Sequence, residues 1–140
     1  MATFNKFNAF VEHMAEKVHN LGADQLVVAL CAAANAPSAS NSVLGDLTVI
    51  SYTNLSTRNI TTSTSAQTSG TSKLVLTELV LTASGGSVAP FLYVVIFNDT
   101  PTSPADALIG YYDYGTDVTL ANGETFTIDF DGTNGVLQNA

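Results

Sequence analysis

Apolar residues near the start of the chain recur at helical spacing. At about 100° per residue from Phe4, the side chains of Phe7, Phe10, Val11, Met14, Val18 and Leu21 fall within about 120° of one another. Asn5, Lys6, Asn8, Glu12, His13, Glu16, Lys17, His19 and Asn20 fill the remaining arc. This spacing predicts an amphipathic α-helix over 3–21, with Thr3 as its N-cap and Gly22 as its stop. A stripe with three phenylalanines must be buried, on this chain's own sheet or on a neighbour. At about 2 kcal/mol for each fully buried side chain, it would anchor the element firmly.

Beyond Gly22 the period changes to that of strands. Residues 26–31 form a short apolar strand candidate, and 32–42 (AAANAPSASNS) read as a loop. Residues 44–50 fit a helical turn or a strand. The run 51–72 is nearly all Ser, Thr, Asn, Gln and Gly, and fits a mobile loop or a β-competent edge strand. Residues 73–82 read as a strand, 84–87 as a turn and 91–97 as a strand that is apolar throughout. In that strand Phe91, Tyr93, Val95 and Phe97 would share one face, and Leu92, Val94 and Ile96 the other. Both faces need cover. A sandwich interior would supply one, and the helix or another subunit the second. A Pro-containing loop is expected over 98–105, then a strand over 108–114. Segments 118–120 and 124–130 flank Ala121-Asn122-Gly123, a hairpin signal. A turn over 131–135 precedes a short final strand at 136–137. The fold expected is mainly β: an antiparallel β-sandwich or barrel with one N-terminal amphipathic α-helix packed on it. The 140 residues suit one domain, 1–140, with the helix over 3–21 and the β part over 23–140.

Composition narrows the function. The chain is 46% hydrophobic and only 11% charged, where an ordinary soluble domain is about a quarter charged. Twelve acidic and four basic residues give a formal charge of −8. So few cations cannot neutralise many phosphates, which argues against a nucleic-acid partner. An anionic membrane surface would repel the chain. The apolar content argues against disorder. The opening residues hold no uninterrupted apolar signal region, and the runs at 26–34 and 89–97 are too short to span a bilayer. Synthesis in the cytoplasm without a signal peptide is the expectation.

Little in the sequence points to chemistry. His13 and His19 sit on the polar side of the expected helix and are not spaced i, i+4; a metal pair would need acids converging from elsewhere. Cys31 lies in an apolar run, which raises a thiol's pKa and makes it inert. The run Asp129–Gly135 fails the EF-hand pattern, because Asn134 stands where the loop needs glycine and Ala140 where it needs glutamate. A tight turn explains it. The segment 108–115 concentrates three tyrosines, with Tyr112 and Tyr114 on one face and Tyr111 and Asp113 on the other. They fit a sugar platform, partner contacts or half-buried strand aromatics. No catalytic, cofactor-binding or metal-ligating residues are assigned, and no enzyme activity is expected. The candidate partner or subunit interface is Phe4, Phe7, Phe10, Met14, Tyr111, Tyr112 and Tyr114.

Four segments carry a resemblance. FNKFNAFVEHMAEKVHNLGADQLVVAL, ITTSTSAQTSGTSKLVL, FLYVVIFNDT and LIGYYDYGTDVTLANGETFTIDFDGTNGVL resemble a family of small tailed-bacteriophage proteins, usually encoded among the virion structural genes. The resemblance implies a particle component and supplies no catalytic motif. The leading expectation is a capsid decoration (cement) protein on the outer head surface. Its partners would be the major capsid protein and its own copies, and its location the virion exterior. A tail, neck or baseplate component is one alternative, and a carbohydrate-binding head fibre or host-contact module is another.

Overall fold

Two long strands organise the molecule, which is described here over residues 2–139 from a computed structural model. Strand β7 (Val88–Thr102) pairs antiparallel with β8 (Ala105–Leu120), and the chain reverses at Ser103-Pro104. The loop expected over 98–105 is therefore mostly strand. Pro101 and Pro104 lie near the tip, where few ladder bonds need a donor. Strand β2 (Leu26–Cys31) pairs along the other side of β7, from Leu26↔Asn98 to Cys31↔Tyr93. Short strands close the sheet: β1 (Phe4–Lys6) beyond β8, and β3 (Asn59–Ile60) beyond β2.

A second layer holds two smaller sheets. One has the order β10-β5-β4, with β4 at Thr62–Thr68, β5 at Thr71–Leu76 and β10 at Leu137–Asn139. The other pairs β6 (Leu79–Thr82) with β9 (Thr125–Ile128). The strand expected over 73–82 is thus two strands in two sheets, broken at the exposed Thr77 and Glu78. The turn after β8 forms, with Glu124 N–H donating to Ala121 O at 2.9 Å. It makes a corner and not a hairpin: β9 crosses to β6 instead of folding back on β8. The Ser/Thr-rich run resolves to edge strands, β3 and β4, preceded by an irregular stretch. Residues 44–46 form a single 3₁₀ turn.

The fold is mainly β, with antiparallel sheets packed in a sandwich-like arrangement and one short N-terminal helix. Between the layers lie Leu26, Val28, Leu30, Leu74, Leu81, Phe91, Val94, Ile96, Ile109, Ile128 and Phe130. The far face of the large sheet has a second core of Phe7, Val27, Ala29, Cys31, Val95, Phe97 and Leu108. Phe91 departs from the expected alternation and joins Val94 and Ile96, because the β7–β8 ladder shifts register between Phe91 and Tyr93. Cover for the second face comes from Phe7, just ahead of the helix, and from the irregular segment 32–50, with Leu44 and Leu47 packed on that core; the face needs no second subunit to be buried.

The helix is much shorter than its periodicity predicts. Helix α1 runs only Asn8–Ala15. The preceding residues join the sheet instead, pairing Phe4↔Tyr112, Asn5↔Tyr111 and Lys6↔Gly110. Phe7 holds the N-cap position with no side-chain cap, so Thr3 has no capping role. The helix stops well before Gly22, where Lys17 takes the left-handed φ of +64°. An open edge on β8 offers the first residues a ladder, and tertiary pairing overrides helical periodicity.

Candidate functional site

The expected interface residues divide between interior and surface. Phe7 is fully buried in the second core, and Phe10 is buried between the layers. Phe4 meets the Tyr112 ring edge-on at 5.1 Å. Tyr112 and Tyr114 share a face as expected, but that face points inward: Tyr112 packs on Phe130 and Tyr114 on Phe126. Tyr112 is only 4% exposed. Burial, then the neighbouring Tyr114, Asp129 and Asp131, push its hydroxyl far above the usual tyrosine range. Burial and Asp129 push Tyr114 up to about 12. Tyr111, on the opposite face, packs against Phe7 at 5.3 Å and Tyr93 at 6.3 Å. These aromatics are framework. Of the seven residues, Met14 is the large apolar side chain left well exposed, at 41%.

Beside Met14 lies Val11, 62% exposed, although helical periodicity places it on the buried stripe. The two form one wall of an open groove of about 450 Å³. The opposite wall is the inner face of the three-stranded sheet, with Ser65, Ser72 and Leu74, and Phe10 and Leu21 also line it. The groove exists because α1 is short and reaches across only part of that sheet. Ser65 and Ser72 are too small to fill the gap. Lys6 is the charged side chain on its lining, in a chain of net charge −8. One rim is strand β4, exposed from Ser63 to Thr68. Beyond its ladder to β5, no main-chain hydrogen bond engages residues 62–68 among the described residues. Its outer edge therefore presents free backbone donors and acceptors.

The other chemical candidates find plainer places. Cys31 is fully buried in the second core, and burial pushes its thiol up to about 11. Around Asp131 the carboxylate accepts hydrogen bonds from Thr133 N, Asn134 N and Asn134 Nδ2. These bonds hold it below the usual carboxylate range and account for the turn. His19 is neither helical nor solvated: it lies beyond α1 and is buried, against Phe10 and Asn98. Among the described residues, no three His, Cys, Asp or Glu side chains gather closely enough to hold a metal ion. No helix among them is long and apolar enough to cross a membrane. The site thus offers apolar contact and free main-chain groups. Comparison of the chain with protein-family models, curated proteins and solved structures found no match.

Proposed function

We propose that this chain is a structural component of a tailed-bacteriophage virion, a capsid decoration protein that binds the outer head surface and adjacent copies of itself. The carrying observation is the groove beneath α1, where Val11 and Met14 stand exposed beside the unpaired edge of β4. A segment of another protein can bury those side chains and complete the ladder at once. The particle context comes from the four segments that resemble virion structural proteins. The acidic balance supports it, since a shell component with four cations does not trap nucleic acid.

The strand at 91–97 needs no neighbour to cover it, because Phe7 and residues 32–50 do so. The sugar-platform reading loses Tyr112, which turns no ring face to solvent. What remains is a small adhesive patch repeated over a lattice. A contact that forms only on the assembled shell stabilises it by its binding free energy. Many weak contacts add as multivalent ones do.

The test is binding of the purified protein to expanded heads that lack it. Wild-type protein should bind in hundreds of copies and protect the heads against heat and osmotic shock. Val11→Asp/Met14→Asp should fold and bind at least about tenfold more weakly, the equivalent of ~1.4 kcal/mol. No binding by the wild type, or a low copy number in multiples of three or six, overturns the decoration role.

A further inference from the structure

We propose that His19, Asn98 and Asp24 form an acid-released latch that ties the segment following α1 to strand β7. The latch is independent of where the protein acts. Its centre is Asn98, fully buried on β7. Thr100 N–H points at Asn98 Oδ1 from 3.0 Å, which identifies that atom as the oxygen. Asn98 Nδ2 then has two hydrogens to place. One goes to Asp24 Oδ2 at 2.7 Å, and the other faces His19 Nδ1 at 3.0 Å. His19 Nδ1 is therefore an acceptor, and the neutral ring carries its proton on Nε2.

The rest of the segment docks with the same polarity. Asp24 Oδ2 also accepts Asn20 N–H at 2.8 Å. Gln25 N–H donates to Thr100 Oγ1 at 2.8 Å, and Asp99 N–H to Gln25 O at 3.0 Å. Facing the His19 ring are Phe10 and His13 from α1, Asp24 from the connecting segment and Asn98 from β7. His19 Nε2 and His13 Nδ1 are both buried without a partner, with ring centroids 6.0 Å apart. The tautomer puts a hydrogen, not a lone pair, on His19 Nε2. The two rings therefore cannot grip a metal there while the latch is closed.

A second proton on His19 must go to Nδ1, where it meets the Asn98 N–H head-on. Rotating the amide does not help: it takes the oxygen from Thr100 N–H and turns it toward the Asp24 carboxylate. The charged ring can be accommodated only if residues 19–25 lift from β7. Burial, then the nearby His13, lower the His19 pKa from 6.5 to about 4, with Asp24 opposing. The sign follows. Above pH 6.5 the ring is neutral in both forms and the latch keeps its full strength. Below 6.5 the released form takes up the proton first, so opening grows as the pH falls toward 4. Release frees the C-terminal anchor of α1, whose outer face carries Val11 and Met14.

Long-range ¹H–¹⁵N spectra of the imidazole rings, with amide hydrogen exchange on the full chain, test this between pH 7.5 and 3.5. His19 should appear as the Nε2–H tautomer and titrate below pH 5. Corrected for intrinsic exchange, the hydrogen-bonded amides of Asn20, Ala23, Asp24 and Gln25 should lose at least about tenfold protection between pH 6.5 and 4, while those at 94–96 keep theirs. In His19→Gln, whose amide oxygen can still accept from Asn98, that loss should vanish. An Nδ1–H tautomer, titration near 6.5, or unchanged acid opening in His19→Gln overturns the proposal. Opening that persists in the variant would assign the effect to Asp24. If the variant does not fold, the wild-type tautomer and titration decide alone.

Discussion

Gly110 lies where the first strand crosses the hairpin. A Cβ there would strike the Phe4 ring and lie 2.7 Å from the Asn5 carbonyl oxygen. The ring can turn aside, but the main-chain oxygen is held in the β1–β8 ladder. Gly110→Ala should therefore cost about 1–3 kcal/mol in urea unfolding, as overpacking does. It should also expose the amide of Phe7, which bonds Ile109 O at 3.1 Å. Unchanged stability would mean that β1 is not held there. The buried tyrosines make a second prediction. Tyr52, Tyr112 and Tyr114 all have hydroxyls raised above the ordinary 10.0, by burial first. The unfolded chain ionises near 10 and the folded chain later. The stability they contribute is intact below pH 10 and fades as pH rises toward 12. Tyrosinate absorbance should rise late, together with loss of the near-ultraviolet dichroism of the native packing. At this scale the Tyr112/Tyr114 pairing was legible from alternation alone. Which face turns inward was not, because that depends on which layer lands on it.

The N-terminal element shows where periodicity misleads. The stripe from Phe4 to Leu21 satisfies a helix, yet its members go to four environments: Phe4 to a sheet edge, Phe7 to the second core, Phe10 between the layers, and Val11 and Met14 to the groove. A local pattern carries no information about a free edge elsewhere, so the pairing of Phe4–Lys6 with β8 was not readable. Nor was the groove, which arises from the helix falling short. Strands with strong signals were readable: 26–31 matches β2, and 91–97 lies within β7. The division of labour on α1 can be measured. Phe10 is 6% exposed and Val11 62%. Phe10→Ala should cost ~3 kcal/mol in chemical unfolding. Val11→Ala, one residue on, should stay within ~0.5 kcal/mol of the wild type. Equal costs would mean that α1 packs by a different face.

For the molecule as a whole, the decisive feature is how the large sheet gains cover on both faces. The need was evident from the uniformly apolar 91–97. The supplier was not, since 32–42 reads as a loop and 44–50 fits a helical turn or a strand: small residues, one proline and a few scattered aliphatics. It works because Leu44 and Leu47 reach the second core, while Ile50 N–H bonds Leu30 O at 3.0 Å and Asp46 braces the turn through Ser42 and Val43. A cover made of irregular chain has few main-chain bonds to the sheet beneath, so it should open more readily than the ladders do. Cys31 reports on that opening. It is fully buried in the second core, and a thiol pushed up to about 11 has little thiolate at neutral pH. A disulfide reagent should label wild-type protein slowly, at a rate set by exposure of the site. If Leu44→Ala and Leu47→Ala each weaken the closed cover by ~1.4 kcal/mol, labelling should accelerate about tenfold per substitution. Global stability measured on the β7–β8 hairpin should fall by less than in Phe10→Ala. Labelling that tracks global unfolding in every variant would show that cover and sandwich open as one unit, and that residues 32–50 are core in all but appearance.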